Sequence, residues 1–201
     1  MGAFVKFNKV VADDEYRIAM MPLLPGGGGK EIKPETPLVK SRISNSTLLY
    51  IPEIKITSGI ETFYECYRIR AISDIDATGV ESFERTFWYC RSLILISKLK
   101  INRILTSQMN SNMFHECRNL EKIIIEGSIK VDKSINLFVD SLWPYSMPKK
   151  LTVDSMMSFI NAFEDNTGEE TQYTFGFGSE NLARLTPEQI AVATNKNILL
   201  A

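Results

Sequence analysis

The chain is poor in the residues that carry most site chemistry: three cysteines, one histidine and two tryptophans in 201 residues. No two cysteines stand close enough for the C-x₂₋₄-C pair that zinc sites favour, so no metal is expected. Their odd number and wide spacing do not read as a disulfide framework. Charge of one sign is lacking too. Lys and Arg total 23 against 24 Asp and Glu, for a net charge of -1 and a pI near 6.0. Gripping nucleic acid by its phosphates needs a clustered basic face. The tightest basic groupings are Lys149-Lys150 and Arg68 with Arg70, so nucleic acid is excluded as a partner. No run approaches the roughly 20 apolar residues of a membrane span. Met1-Gly2-Ala3-Phe4-Val5-Lys6-Phe7 lacks a basic segment followed by an apolar one, and Lys6 stands where a myristoylation motif wants Ser or Thr. The expectation is a chain kept in a cytoplasm, or released by a route other than standard secretion, with no membrane contact.

What is present is enough apolar residue, 44%, for a real core. It is also periodic. Phe63, Cys66, Ile69 and Ile72 form one unit; Phe87, Cys90, Leu93 and Ile96 a second; Phe114, Cys117, Leu120 and Ile123 a third. All fit F-x-x-C-x-x-[LI]-x-x-I, at spacings of 24 and then 27 residues, within the leucine-rich-repeat period. Weaker copies flank them. Asn45, Leu48, Ile51 and Ile54 align with Cys66, Ile69, Ile72 and Ile75. Phe138 follows Phe114 with Ser141 in the cysteine position, and the pattern dissolves at Pro144. One such unit cannot bury its apolar side alone, whereas stacked units place Phe over Phe and Cys over Cys. A thiol suits an inner ladder because it is small and apolar. Rungs about 4.8 Å apart leave a disulfide imaginable, but a reduced ladder is favoured.

The expected fold class is therefore an α/β repeat: a short leucine-rich-repeat solenoid of four to five coils over 42–142, with a β-rich N-terminal arm and a small α/β C-terminal cap. The arm, 1–24, holds two β-like stretches, Phe4–Val11 and Tyr16–Met21, around Ala12-Asp13-Asp14-Glu15. A Gly/Pro linker follows over 25–41, with Gly26 to Gly29 as a hinge. The cap, 143–201, reads as helix–strand–helix–strand. Val153, Met156, Met157, Ile160 and Phe163 share one helical face, and Tyr173, Phe175 and Phe177 alternate as a strand. Thr186-Pro187-Glu188-Gln189 carries a helix N-cap, a proline at the first position and the glutamine of a capping box. Asn197–Ala201 forms a last strand.

Catalytic readings fare poorly. His115 lies two residues before Cys117, which suggests a Cys–His nucleophile. However, Cys66 and Cys90 hold the same register without a histidine, so the repeat explains Cys117 better. Pro25-Gly26-Gly27-Gly28-Gly29-Lys30 approaches a phosphate loop, but that motif needs G-x-x-x-x-G-K-[ST]. Leu24 occupies its first glycine position and Glu31 follows the lysine. Asp74, Asp76, Glu81, Glu84 and Asp13-Asp14-Glu15 read as solvated carboxylates, with no pair placed for acid–base work. Asn45-Ser46-Thr47 is a formal glycosylation sequon without a secretory signal to give it meaning. No enzyme activity and no cofactor are expected. A recognition role has better material. Tyr64, Trp88 and His115 share the register just after the phenylalanine ladder, next to Tyr67 and Tyr89. Facing outward, they would make a row able to anchor a partner.

At the F-x-x-C units the chain resembles the treponema/BspA-like leucine-rich repeats, over roughly residues 42–142. The tail, Leu151–Asn161 and Asn181–Asn197, is similar to the C-terminal module of repeat proteins encoded by phages and prophages of gut bacteria. That group contributes proteins of the virion surface, tail or baseplate. The resemblance implies a non-enzymatic virion structural or decoration protein, of head or tail-fibre type, assembled in the bacterial host cytoplasm. It would be anchored to other virion proteins through the N-terminal arm and would present its repeats to a host surface protein or glycan. A homo-oligomer is open by analogy with phage fibres, although no heptad pattern supports one. The alternative is a bacterial cell-surface adhesin or host-interaction protein with the same repeats, which would need an export signal. The last unit and the Leu142–Lys150 insert depart from the family pattern.

Overall fold

The computed structural model describes residues 49–51, 53–110, 112–138 and 147–201. The expected arm (1–24) and linker (25–41) lie outside the described residues, as do Asn45, Leu48, Ser141 and Pro144.

Five strands make one sheet: β1 (Tyr50–Ile51), β2 (Ile54–Lys55), β3 (Ala71–Asp76), β4 (Leu95–Leu105) and β5 (Lys122–Lys130). Every pairing is parallel. β1 and β2 line one edge of β3, β4 lies on its other edge, and β5 follows β4. Isoleucine sets the register. Ile51 pairs with Ile72, Ile72 with Ile96 and Ile96 with Ile123, and all four are fully buried. Branched side chains pack well on a pleated surface that is half covered. On the exposed face a second row alternates in sign. Lys55 pairs with Asp76, Asp76 with Lys100 and Lys100 with Glu126, while Lys98 Nζ reaches Glu126 at 2.8 Å. Opposite charges across neighbouring strands favour this register over a slipped one.

Among the described residues, the segments between these strands contain turns and no helix. They hydrogen-bond to each other away from the sheet. Phe63 N–H donates to Thr86 O and Glu65 N–H to Trp88 O, both at 2.8 Å; Tyr89 N–H donates to His115 O at 2.8 Å. Glu65, Tyr89 and Glu116, each just before a ladder cysteine, take the left-handed conformation with φ of 59°, 62° and 63°. That costs a non-glycine residue about 1 kcal/mol. At Glu65 and Tyr89 the cost accompanies an N–H bonded into the next unit.

A stack of rings runs through the core. Phe63 and Phe87 lie 5.2 Å apart, Phe87 and Phe114 5.4 Å, and Phe114 and Phe138 5.1 Å, all near-parallel. Phe177 from the C-terminal region adds a fifth ring, 5.6 Å from Phe138.

That region holds three helices, α1 (Val153–Ala162), α2 (Ser179–Leu182) and α3 (Pro187–Thr194), with a parallel pair β6 (Tyr173–Phe175) and β7 (Ile198–Leu200). Thr152 caps α1, accepting from Ser155 N–H. Thr186 and Gln189 form both bonds of a capping box at α3. Lys196 Nζ donates to the carbonyls of Ile160, Asn161 and Phe163, filling the acceptors that the end of α1 leaves open. Helix α1 lies along β5 and buries Met156, Phe159 and Ile160.

The expectation of a leucine-rich-repeat solenoid is corrected by this arrangement, which is a mixed α/β fold on a parallel sheet. The strands run from two residues to eleven, so no uniform coil recurs. All helices of the described residues come after the sheet. The register between β4 and β5 also slips twice, after Ile96 and after Lys100. Gly127 sits where the slipped strands crowd: its φ is +137°, and a Cβ there would stand 2.2 Å from Ile101 O. The sequence period reports which side chains stack. It does not report how much chain lies between them or what shape that chain takes.

Candidate functional site

The ladder residues Phe63, Cys66, Ile69, Ile72, Phe87, Cys90, Leu93, Ile96, Phe114, Cys117, Leu120 and Ile123 are all buried, none more than 2% exposed. The three thiols are free, and two of them donate to a carbonyl of the preceding unit. Cys90 Sγ donates to Phe63 O at 3.0 Å and Cys117 Sγ to Phe87 O at 2.8 Å. The side-chain hydrogen bond with Cys90, and then burial, push the Cys66 thiol far above its ordinary range. Burial does the same at Cys90, reinforced by the Cys117 hydrogen bond. A thiol held this way has almost no thiolate and is a poor nucleophile or metal ligand. Cys117 Sγ also lies 4.0 Å from the His115 main-chain oxygen. Among the described residues no group of three or more His, Cys, Asp or Glu could hold a metal ion. No described helix is long and apolar enough to cross a membrane.

Tyr64, Trp88 and His115 are brought together as a row across three units. Tyr64 and Trp88 stack at 6.3 Å with 16° between planes, and Trp88 meets His115 at 4.4 Å. The row is less open than an outward-facing one would be. Tyr64 and Trp88 are half-buried, and His115 is only 8% exposed. The Trp88 indole nitrogen and the His115 Nδ1 are themselves buried, so the row turns much of its polar edge inward.

Sequence reasoning did not single out the arginines that flank the row. The Arg85 guanidinium lies 5.2 Å from the Trp88 ring centre and that of Arg91 lies 4.9 Å from Tyr89. Carboxylates fix both: Arg85 pairs with Glu61 at 3.4 Å and Arg91 with Glu116 at 3.1 Å. Arg118 shares the Glu116 carboxylate. Tyr67, 44% exposed, meets Tyr89 edge-on at 6.5 Å. Burial, with the Glu65 carboxylate next, raises the Tyr67 phenol above its usual range. One signal for this flank was present in the sequence. Tyr67, Arg91 and Arg118 each follow a ladder cysteine by one residue, and a position so exposed to solvent has no packing reason to hold aromatic or guanidinium groups.

The surface thus combines aromatic rings packed on one another with arginines held in place by carboxylate partners. It can take hydrogen-bond acceptors and anionic groups. No family model, no curated protein and no solved structure matches this chain.

Proposed function

We propose that the chain is a non-enzymatic structural or decoration protein of a phage particle, of head or tail-fibre type. The row Tyr64–Trp88–His115 with its arginine flank is its contact surface for a protein or host-surface partner. The observation that carries the contact reading is the pair of arginines placed over aromatic rings beside the contiguous row Tyr64–Trp88–His115. Trp, Tyr and Arg dominate the energetics of interfaces. Rings already fixed by stacking lose little further freedom on binding. The virion reading draws its support from the resemblance of the F-x-x-C units and the tail to repeat proteins of phages. Residues 1–24 are proposed to anchor the chain to other virion proteins, and many copies on one particle would multiply weak contacts.

The test is mass spectrometry and immunogold electron microscopy of purified particles, followed by adsorption of particles carrying Trp88→Ala. The protein should be present on the particle in many copies. The variant should remain there while adsorption to the host falls about thirtyfold, the equivalent of one lost hot-spot residue. Absence from every particle removes the virion reading, and unchanged adsorption removes the contact reading.

A further inference from the structure

Lys130, Asn166 and Glu169 meet where the end of β5 faces the turn that follows α1. Lys130 Nζ lies 3.0 Å from Asn166 Oδ1 and 2.7 Å from Glu169 Oε1. An amine, a carboxamide and a carboxylate thus share one contact. Other lysines are placed differently. Lys98 and Lys149 pair with carboxylates on the open surface, and Lys196 meets main-chain carbonyls.

Asn166 is fully buried and is fixed by every group it carries. Its Nδ2 donates to Val131 O and its N–H to Lys196 O at 3.0 Å. Its carbonyl accepts from Glu169 N–H at 2.9 Å and from Asn197 Nδ2 at 3.2 Å. An amide nitrogen only donates and an amide oxygen only accepts, so these partners turn Oδ1 toward Lys130. The same turn is tied to β5 through Glu164 N–H, which donates to Ile129 O at 2.8 Å. A bond between residues 130 and 166 can therefore close by rotation of the lysine side chain. That side chain is 19% exposed and Glu169 49%. The carboxamide is kept from water, while the carboxylate side opens to solvent and offers an exit to a small leaving group.

A lysine amine becomes a nucleophile when a neighbouring base takes its proton, and lasting contact with its target replaces a bimolecular encounter. We infer that Lys130 and Asn166 join spontaneously in an isopeptide bond, with Glu169 as the base. Glu169 takes a proton from the Lys130 ammonium. The freed Nζ lone pair attacks Asn166 Cγ, and the C=O π pair moves onto Oδ1. That pair returns as the Cγ–Nδ2 bond breaks. Nζ gives up two protons in all, both of which end on Nδ2, one of them carried by Glu169, and ammonium departs. Nothing is oxidised and no co-reactant is consumed. The product ties the end of β5 to the C-terminal region across 36 residues. It forms within one chain and is independent of any particle or partner.

The full chain is weighed intact by mass spectrometry under denaturing conditions. It should be lighter than its sequence by one molecule of ammonia, and a protease digest should contain a branched peptide joining the Lys130 and Asn166 segments. Lys130→Arg keeps a cation against Glu169 and restores the full mass. Glu169→Gln, which removes the base, slows the loss about a hundredfold. Asn166→Ala also restores the full mass, with circular dichroism reporting whether the fold is kept; should it unfold, Lys130→Arg decides. A wild-type chain that keeps its full mass through days of incubation in the folded state overturns the inference. So does a mass loss that persists in Lys130→Arg, or a branched peptide that forms at the wild-type rate in Glu169→Gln.

Discussion

Ser155 Oγ accepts the Ile123 N–H at 3.0 Å, so a helix side chain takes the place of the next strand's carbonyl. Ser158 Oγ does the same for Ile125 N–H at 3.1 Å. Main-chain bonds continue the seam, Thr152 N–H to Glu121 O and Glu164 N–H to Ile129 O, each at 2.8 Å. An open strand edge is a template for unwanted pairing, and α1 closes it at β5. Ser155→Ala removes the acceptor from a buried N–H, which costs about 1–3 kcal/mol. Urea denaturation should show that loss for Ser155→Ala and a smaller one for Ser158→Ala, whose bond is only part-buried. Equal stability of Ser155→Ala and wild type would mean the edge is satisfied by other means.

The phenylalanine stack joins the C-terminal region to the units through Phe138 and Phe177. Phe87→Ala, in the middle of the stack, should cost about 3–5 kcal/mol as a buried aromatic truncation. A double-mutant cycle of Phe138→Leu and Phe177→Leu should give a coupling of about 0.5–1.5 kcal/mol, the excess that a ring pair holds over its area. Additive losses would show that the fifth ring belongs to the stack in geometry only.

The side chains that stack were readable in advance because they recur: Phe, Cys and Ile return at fixed offsets, and burial demands it. What breaks the period was not readable that way. Phe177 joins the same stack from a different element, with no unit around it to mark it. Ser155 and Ser158 are small hydroxyls on a helix face, where sequence alone gives no reason to expect strand-edge acceptors. The left-handed residues Glu65, Tyr89 and Glu116 carry no glycine to announce them. The expected solenoid failed for a related reason, since equal stacking offsets do not imply equal coils. Of the proposed contact surface, the Tyr64–Trp88–His115 register was readable, while its depth and its arginine flank depended on neighbouring units.

The thiols should be silent in the native state. With their pKa raised by burial and by hydrogen bonds among themselves, Cys66 and Cys90 expose no thiolate to reagent. Ellman's reagent at pH 8 should label no cysteine until denaturant opens the core, and labelling rates should then follow global unfolding. Fast reaction of any of the three in the folded protein would contradict the buried ladder.

Gly127 meets two constraints at once, a φ of +137° and the 2.2 Å approach of Ile101 O to any added Cβ. Gly127→Ala should therefore destabilise by about 2 kcal/mol or more, against the gain of up to 1 kcal/mol that the same change brings where the backbone permits it. Gly168, where an added Cβ meets nothing within 4 Å, is the control and should tolerate alanine. The thermal midpoints of the two variants separate the readings. A mild Gly127→Ala would show that the slipped β4–β5 register relaxes without cost.

Acid should weaken the fold through carboxylates that hydrogen bonds hold ionised. Thr78, through its hydroxyl and its N–H, lowers Asp76 below the usual range. Burial works to raise Asp132 and Glu164. At Asp132 the Ser107 and Thr106 bonds outweigh it, and at Glu164 the Arg103 and Ser128 bonds do. A carboxyl whose folded pKa lies below its unfolded value contributes stability above that unfolded value, about 4. The contribution is lost as pH falls through the folded pKa. The urea midpoint should thus be flat above about pH 5 and decline below about pH 4. Asp132→Asn removes one of the titrating groups while leaving an oxygen to accept from Ser107, so its decline should be shallower than that of wild type. An identical slope in both proteins would mean that Asp132 titrates alike folded and unfolded, and that the turn it pins carries none of the acid sensitivity.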